Sequence, residues 1–359
     1  MDSPRVSVVM SVFNGEQYVA EAIQSILDQT YDQFEFIIVD NKSTDETLNI
    51  IHSFSDSRIK VISNEANLGQ TSALNVGILS SCGRLIARMD ADDIALSTRL
   101  ETQVSFLDAN SDVSVVGSWA TFVDQEGKKI ADFSTPTDKN EVTLFMSGSP
   151  ELSFGCNLHP TLMLRRECFD EVGLYDESNS KKRGYPQDYE LWSRMIFAGK
   201  IFANIDQKLI YYRLLKLSES NHDLHQFSQY KMSITLQKIK MYMPELGHEQ
   251  SIDLTRMLEF WPMQSAAKGK SILTVFSEYF HSYAKRSGIT EGIDDVHDRM
   301  TFYYLPMLSK TNMLLSFKLY FQLLLKHPGY VMDKKFYRKL GKSFLSKKTP
   351  ECSKNGQEA

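Results

Sequence analysis

The sequence has few cysteines and no long apolar run, and each absence excludes a class of protein. Its four cysteines stand alone, without a Cys-x-x-Cys pair, so neither a zinc site nor a disulfide framework is expected. No stretch of 18 or more apolar residues could cross a membrane as a helix. No secretory signal precedes the first strand-like segment, which predicts a cytoplasmic protein with reduced thiols.

Glycine-rich phosphate-binding motifs are also missing. The chain contains neither Gly-x-Gly-x-x-Gly nor Gly-x-x-x-x-Gly-Lys, and residues 61–83 hold no lysine or arginine. A nucleotide diphosphate bound by this chain would therefore need another source of positive charge. A divalent metal ion is one such source.

Composition and charge predict two domains. Of the 359 residues, 42% are hydrophobic, which allows a sizeable core, and the mean hydropathy is −0.29. The net charge of −5 divides into −12 for residues 1–220 and +7 for residues 221–359. Beyond residue 220 the chain consists of helical patterns rich in Met, Tyr, Phe and Lys. We place the domain boundary there.

The N-terminal part alternates between strand-like and helical patterns, which is typical of a parallel, doubly wound α/β sheet. Asn14 is expected to cap the first helix, and residues 141–155 have a weak pattern that predicts a loop. The predicted strands cover residues 6–13, 34–39, 58–63, 84–89, 113–123, 158–165 and 209–214.

Aspartates follow two of these strands. Asp40 ends the second strand, and Asp90, Asp92 and Asp93 follow the strand at residues 84–89. Carboxyl ends of parallel strands meet at one edge of a sheet, where ligands bind. Clustered carboxylates repel each other unless a cation lies between them, and Mg²⁺ or Mn²⁺ prefers such oxygen ligands. Each aspartate taken alone could instead be a helix cap or a turn residue.

Three further positions have both a chemical and a structural interpretation. Asp188 begins a predicted helix, where it could act as a base or stabilise the helix dipole. His159 could bind a metal, although a lone histidine is more often structural. Arg213, in a Tyr-Tyr-Arg segment, could bind phosphate or lie at a strand edge.

Taken together, these motifs resemble the family 2 glycosyltransferases, which are inverting enzymes of the GT-A fold. The resemblance covers about residues 4–215, and its acidic segment is similar to that of bacterial enzymes that build surface polysaccharides. The matching segments, in chain order, are residues 6–14, 37–45, 67–69, 75–77, 87–93, 159–161, 173–177 and 187–192.

The resemblance implies a role for each matching residue. Asp92 would bind Mn²⁺ or Mg²⁺ directly, and Asp188 would be the general base. The residues that would contact the nucleotide sugar are Ser11, Phe13, Asn14, Asp40, Asn41, Asp90 and Ala91.

Several positions depart from the family pattern. Ser11 and Phe13 replace its proline and tyrosine, which changes little. Asn41 replaces the second acid of the base-binding pair, although its amide oxygen can still accept a hydrogen bond. Gln187 replaces a glutamate next to Asp188, which should therefore ionise more easily. Leu215 and Lys216 stand where many members carry a metal-binding histidine.

The implied reaction transfers a hexose-type sugar from a nucleotide diphosphate, with UDP favoured, to a hydroxyl of a glycan or lipid-linked acceptor. O-antigen, capsule or exopolysaccharide synthesis is the expected setting. Two alternatives are a sugar-nucleotide nucleotidyltransferase and an inactive member that binds sugars or partners. Residues 11–15 lack the basic glycine-rich loop of the first, and retention of Asp92 and Asp188 argues against the second.

The C-terminal end is basic, with ten Lys and Arg and one acid in residues 310–348. In the apolar segment 314–326, Lys318, Gln322 and Lys326 recur every four residues, and residues 334–348 add a second basic segment. A basic amphipathic helix predicts adsorption to the anionic inner face of a membrane. The alternative is a helix packed on the catalytic domain. Nucleic acid is not an expected partner, because the acidic half would repel it.

Overall fold

The structure, a computed structural model, describes residues 4–146, 157–179, 185–215, 224–259, 269–308 and 313–327. It contains an α/β layer followed by helices. The basic segment 334–348, Lys216 and most of the expected loop at residues 141–155 lie outside these ranges, so the predictions made for them have no structural counterpart here.

One nine-stranded sheet forms the centre of the described chain, in the order β3-β2-β1-β4-β8-β6-β9-β5, with β7 paired to β6. The pairs β1–β2, β1–β4, β2–β3 and β6–β9 are parallel, and the other four pairs are antiparallel. The strands are β1 (Val6–Val12), β2 (Phe34–Asp40), β3 (Ile59–Ser63), β4 (Leu85–Asp90), β5 (Ile94–Ala95), β6 (Val113–Val123), β7 (Lys129–Phe133), β8 (Met163–Arg165) and β9 (Ile201–Arg213).

The side chains of each buried strand alternate between the two faces of the sheet. Both faces are apolar, so helices cover each of them and form two cores. Val8 and Met10 face a core that includes α1 and α4, whereas Val9 faces the core that includes α3 and α7. The helices of this layer are α1 (Val19–Leu27), α2 (Thr47–His52), α3 (Gln70–Leu79), α4 (Arg99–Ala109), α5 (Lys139–Phe145), α6 (Glu167–Val172) and α7 (Gln187–Phe197).

A glycine brings α3 close to the sheet. A Cβ atom on Gly77 would stand 2.6 Å from Val9 Cγ1 and 3.2 Å from Val39 Cγ2. Any side chain at this position would push α3 away from β1 and β2. This contact gives a packing reason for the Asn-x-Gly segment at residues 75–77.

The order of the strands reverses beside β1. The chain lays β1, β2 and β3 outward in one direction and then places β4 on the other side of β1. Open α/β sheets bind ligands at the carboxyl ends of the strands that flank such a reversal. The fold therefore points to the ends of β1 and β4.

Five further helices pack against the α/β layer and share its larger core. Tyr283 donates a hydrogen bond to the carbonyl oxygen of Thr143 (2.9 Å), and Arg299 pairs with Glu141. The predicted boundary near residue 220 lies in residues 216–223, outside the described ranges, so the two-domain division stays a prediction. The helices are α8 (Leu224–Tyr242), α9 (His248–Leu258), α10 (Gly269–Arg286), α11 (Ile293–Leu308) and α12 (Met313–Lys326).

Among the described residues, none of these helices has the length and apolar character needed to cross a bilayer. The last of them, α12, packs on the core through Leu323 and leaves Phe321 and Leu325 exposed.

Two local predictions were wrong. Asn14 does not cap α1, which begins five residues later; its backbone is left-handed (φ 52°), and its side chain accepts a hydrogen bond from Thr44 N–H (2.8 Å). The predicted strand at 158–165 is a 3₁₀ turn (His159–Thr161) followed by the short strand β8. Pro160, which has no N–H to donate, favours the turn.

Two other segments differ from the sequence predictions. The strand expected at 209–214 is the last part of β9, which begins at Ile201. The loop predicted from residue 141 is wrong at its start, because α5 covers residues 141–145. Asp138 caps this helix by accepting a hydrogen bond from Glu141 N–H (2.9 Å).

Candidate active site

Two aspartates flank the carboxyl end of β1. Asp40, the last residue of β2, is in register with Val12, and Asp90, the last residue of β4, is in register with Ser11. Two strand spacings separate β2 from β4, about 10 Å across β1. The fold thus brings Ser11, Asp40 and Asp90 to one edge of the sheet, at the reversal of strand order.

Three carboxylates form a cluster where the chain leaves β4. Oxygen atoms of Asp90, Asp92 and Asp93 lie within 4.8 Å of one another. Burial, together with the charges of the neighbouring acids, raises the pKa of Asp92 to about 7 and the pKa of Asp93 well above its ordinary value. Negative charge in this cluster is therefore costly without a cation.

The donor set of the cluster fits a divalent cation. Asp93 Oδ1 accepts a hydrogen bond from Arg213 N–H (2.8 Å), but the buried Oδ2 atom has no hydrogen-bond partner among the residues that the structure describes. Asp90 and Asp92 are partly exposed at the surface of the edge. Clustered carboxylate oxygens are the ligands that Mg²⁺ and Mn²⁺ prefer.

Two arginines support the cluster. The buried Arg88 forms an ion pair with Asp90. Arg213 donates from Nε to the carbonyl oxygen of Asp92 (2.8 Å) and from Nη2 to Glu21 (2.7 Å). Arg213 thus holds the loop that carries Asp92, which favours a structural role over phosphate binding for this residue.

Arg88 is the residue that the sequence analysis did not single out. Its guanidinium is fully buried, and Nε has no hydrogen-bond partner within the described part of the chain. One signal was present, because Arg88 is the only charged residue between Leu85 and Met89 in an otherwise apolar strand. A charge in a buried strand needs a partner, and here the partner is Asp90.

The residues expected to contact the base lie at the carboxyl ends of β1 and β2. Asp40 is buried and accepts a hydrogen bond from Ser43 N–H (3.2 Å). Phe13 follows β1, and 48% of its side chain is exposed, which leaves a ring face open for stacking.

The side-chain oxygen of Asn41 already accepts two hydrogen bonds. Its oxygen accepts from Asn64 Nδ2 (3.0 Å) and from Leu68 N–H (3.1 Å), and its nitrogen donates to Asn67 (2.9 Å). A carbonyl oxygen has two lone pairs, so no acceptor capacity is left in this arrangement. Asn41 ties β2 to the loop before α3, and its contact with a base stays a prediction.

Asp188 lies in the first turn of α7 and is partly exposed. Its Oδ1 accepts a hydrogen bond from Tyr189 N–H (2.8 Å). Burial raises the pKa of Asp188, and the positive charges of Arg88 and Lys231 oppose this rise. The charge of Arg88 therefore acts on both Asp188 and Asp90. The neighbouring Gln187 donates a hydrogen bond from its side chain to Gln70 of α3 (2.7 Å).

Polar contacts join α3, the segment at 173–177 and His159. Asn75 accepts from Tyr175 N–H (3.0 Å) and donates to Glu177 (2.7 Å), which fixes the segment at 173–177 on α3. His159 Nε2 is 2.6 Å from the Tyr175 hydroxyl, and its ring packs edge-on against Trp192. Burial, and then the charge of Arg88, lowers the pKa of His159 well below its usual value, so this histidine is a neutral structural residue.

Two solved structures share this fold. The structure of S. aureus TarS in complex with UDP-GlcNAc matches 91% of this chain and 92% of its own, with a TM-score of 0.55 and 17% identity. The mannosyltransferase PcManGT from Pyrobaculum calidifontis, in complex with GDP-Man and Mn²⁺, matches 96% of this chain and 88% of its own, with a TM-score of 0.50 and 14% identity. The fold is therefore the predicted GT-A fold, with helices added at the C-terminus.

Sequence relatives are closer. An uncharacterised glycosyltransferase of Haemophilus influenzae is 32% identical over 75% of this chain and 84% of its own length. The O-antigen biosynthesis glycosyltransferase WbnJ of Escherichia coli is 31% identical over 58% of this chain and 79% of its own. The model of glycosyl transferase family 2 matches residues 7–173. The chain belongs to glycosyl transferase family 2, which makes the protein a glycosyltransferase by family rather than a sugar-nucleotide nucleotidyltransferase.

Proposed function

We propose that the protein is an inverting glycosyltransferase that moves a hexose-type sugar from a UDP-sugar to a hydroxyl of a glycan or lipid-linked acceptor. We further propose that it acts in bacterial surface polysaccharide synthesis. The role of WbnJ in O-antigen biosynthesis supports this setting, and the UDP-GlcNAc bound to TarS supports a uridine donor.

One observation carries the proposal. An acid cluster at the reversal of strand order and an aspartate at the head of α7 both interact with one buried guanidinium, that of Arg88. The first group suits a donor diphosphate with its cation, and the second suits proton removal from an acceptor. Their common relation to Arg88 supports a single site with a donor side and an acceptor side.

We assign metal binding to Asp92, with Asp90 beside it. The unpartnered Asp93 oxygen and the raised pKa values of the cluster support this assignment. Mn²⁺ or Mg²⁺ held there would neutralise the negative charge that develops on the departing nucleotide. The Mn²⁺ in the PcManGT complex supports the choice of a divalent ion.

The remaining steps use the side chains of the chain itself. Asp40 and the exposed ring of Phe13 hold the base and ribose beside β1. Asp188 accepts the proton of the acceptor hydroxyl, whose oxygen attacks the anomeric carbon from the face opposite the nucleotide. A single displacement inverts the anomeric configuration. Because its pKa is raised, Asp188 is a stronger base than an exposed aspartate once it has ionised.

Replacement of the base tests the mechanism. Asp188→Asn should keep the melting temperature and donor affinity but lower turnover by about 100-fold or more. Asp206→Asn, which removes an exposed carboxylate on β9, is the matched control and should retain wild-type turnover. Near wild-type turnover of Asp188→Asn would contradict the base assignment. The anomeric configuration of the product, read by NMR, tests inversion independently.

A donor screen tests the nucleotide assignment. Hydrolysis of UDP-, GDP- and dTDP-sugars in the presence of Mn²⁺ should be fastest for a UDP-sugar. A preference for GDP-sugars would contradict uridine recognition without affecting the family. Asn41→Asp should change the donor preference little, because the side chain at this position already bonds to the neighbouring loop.

We also propose that α12 lies against an anionic membrane surface. Phe321 and Leu325, 61% and 85% exposed, lie among the exposed Lys318 and Lys326 on this helix. Apolar side chains beside lysines suit the boundary between anionic headgroups and acyl chains.

Liposome flotation tests this contact. The full-length protein should float with vesicles that contain phosphatidylglycerol, and the double variant Phe321→Ser, Leu325→Ser should float less. Leu79→Ser removes an equally exposed leucine from α3 and is the matched control. Equal flotation of all three proteins would remove the role of α12.

A further inference from the structure

A buried polar network lies next to Asp188, and the mechanism above makes no use of it. Lys238 Nζ donates to the hydroxyl oxygen of Tyr189 (2.7 Å), and that hydroxyl is 2.9 Å from Thr235 Oγ1. Thr235 in turn donates to Glu259 Oε1 (2.5 Å). Each hydrogen bond in the series that links Lys238, Tyr189, Thr235 and Glu259 therefore has one donor and one acceptor.

The network is secluded from solvent. Thr235 is fully buried, Lys238 is 2% exposed, and the Glu259 side chain is 8% exposed. Burial lowers the pKa of Lys238 to about 7, against the opposing charge of Glu259. Placing two ionisable groups here costs free energy that an apolar packing of the same volume would not. Such networks are retained where they fix a geometry that apolar contacts leave loose.

The network joins the catalytic helix to the C-terminal helices. Tyr189 belongs to the first turn of α7, Thr235 and Lys238 belong to α8, and Glu259 follows α9. The ring of Tyr185, just before α7, packs edge-on against Tyr230 of α8 with centroids 5.5 Å apart. Helix α8 thus contacts the start of α7 at two successive points.

Lys231 completes this contact surface. Its ammonium lies 3.3 Å from Glu259 and 5.2 Å from the centroid of the Tyr189 ring. It also interacts electrostatically with Asp188. The charge distribution at the start of α7 is therefore set partly by a residue of the C-terminal helices.

We propose that Tyr189, Thr235, Lys238 and Glu259 form a positioning network that fixes the first turn of α7 and thereby aims the carboxylate of Asp188 at the acceptor. The direct link is the hydrogen bond from Tyr189 N–H to Asp188 Oδ1. Tyr189 and Thr235 are positioning residues, since neither is assigned a contact with substrate. This inference rests on the proposed role of Asp188 as the base.

The first test uses a matched pair at Thr235. Thr235→Val removes the hydroxyl at nearly constant volume, and Thr235→Ser keeps it. Because a displacement of about 1 Å can cost up to about 100-fold in rate, we expect Thr235→Val to lower kcat by about tenfold. The KM and Kd for the donor should stay within twofold of wild type, and Thr235→Ser should restore most of kcat.

The second test compares two buried tyrosines. Tyr189→Phe removes a hydroxyl from the network, whereas Tyr283→Phe removes a buried hydroxyl of α10 that donates to the Thr143 carbonyl of α5. Both variants should lose thermal stability, because Tyr189→Phe leaves Lys238 and Thr235 without a hydrogen bond to this hydroxyl and Tyr283→Phe leaves the Thr143 carbonyl without its donor. Only Tyr189→Phe should lower kcat, by about tenfold.

The outcomes separate positioning from simple stabilisation. Equal kcat values for Tyr189→Phe and Tyr283→Phe, or a Thr235→Ser variant as slow as Thr235→Val, would overturn the inference. Asp188→Asn is measured in parallel. If Asp188→Asn stays active, the base assignment fails; if it is inactive while the network variants keep wild-type kcat, only the positioning inference fails.

Discussion

Buried carboxyl groups at the two ends of the sheet have pKa values shifted in opposite directions. At the amino ends of the strands, Glu35 accepts hydrogen bonds from Ser7 Oγ (2.5 Å), Cys82 N–H (2.6 Å) and Lys60 Nζ (2.6 Å). Burial alone would raise its pKa, but these donors outweigh burial and lower the pKa from 4.5 to about 2. At the carboxyl ends, burial and like charges raise the pKa of Asp92 to about 7.

This difference shows which end is built to receive a cation. Glu35 has its own donors, so its charge is compensated within the fold. In the acid cluster, Arg88 pairs with Asp90, and one backbone N–H donates to Asp93. Within the described ranges, the buried Asp93 Oδ2 has no hydrogen-bond partner. A carboxylate group that the protein leaves uncompensated stabilises the fold only when positive charge arrives from outside.

The largest expected effect comes from removing the proposed metal ligand. Asp92→Asn should lower turnover by about 100-fold or more and make donor affinity independent of Mn²⁺. Calorimetry with the UDP-sugar, with and without chelator, measures the donor affinity and its dependence on Mn²⁺; a turnover assay measures the rate. Glu35→Gln, the equivalent change at the other end, should keep the Mn²⁺ dependence. If chelator leaves the donor affinity of the wild type unchanged, the proposed metal site is wrong.

The next effect is a loss of stability at the amino end. Glu35→Gln should lower the free energy of unfolding by about 2 kcal/mol at pH 7, because an amide cannot satisfy three donors. The folded pKa of Glu35 is depressed, so its stabilisation is present above pH 4.5 and is lost as the pH falls towards 2. Urea denaturation should therefore show a difference that shrinks below pH 4.5. A difference that stays constant down to pH 2.5 would contradict the role of the charge.

At the carboxyl end, replacing a carboxylate by an amide should raise the free energy of unfolding instead of lowering it. In chelator, Asp92→Asn should raise the free energy of unfolding by about 1 kcal/mol at pH 8, since it removes a carboxylate whose ionisation is disfavoured. The raised folded pKa means that this cost appears as the pH rises from about 4 to about 7, so the gain should vanish near pH 4. Saturating Mn²⁺ should make the wild type the more stable protein. A variant that is less stable in chelator would contradict the comparison.

The smallest effect concerns the salt bridge of Glu35. The Lys60 side chain is 54% exposed, and exposed ion pairs contribute little because water screens them. Lys60→Met should therefore lower the free energy of unfolding by less than about 1 kcal/mol. A loss equal to that of Glu35→Gln would assign the stabilisation to the ion pair instead of the Ser7 hydroxyl and the Cys82 amide.

Much of the fold and of the site's location could be predicted from local patterns. Buried parallel strands appear as short apolar runs, and the residue after each run must lie at the carboxyl edge. Asp40 and Asp90 were placed at that edge for this reason. One failure was a contact between distant segments: Asn14 bonds to Thr44, thirty residues away, instead of capping its own helix. Another was local, because Pro160 favours a turn within the expected strand at 158–165.

Within the site, Arg88 and the Tyr189 network also depend on contacts that local sequence patterns do not predict. A lone arginine in an apolar strand indicates that some partner exists, but only folding shows that the charge acts on both Asp90 and Asp188. Tyr189, Thr235 and Glu259 are separated by up to seventy residues. No periodicity connects such positions, because helical and strand periods describe only neighbours along the chain.

The sequence by itself determined the α/β class, the glycosyltransferase family and the aspartates at the edge of the sheet, because strand periodicity and motif order are local properties. The tertiary structure alone decided which of those carboxylates are compensated. That outcome depends on donors such as Ser7, Cys82 and Arg213, which long-range strand pairing brings to one end of the sheet or withholds from the other.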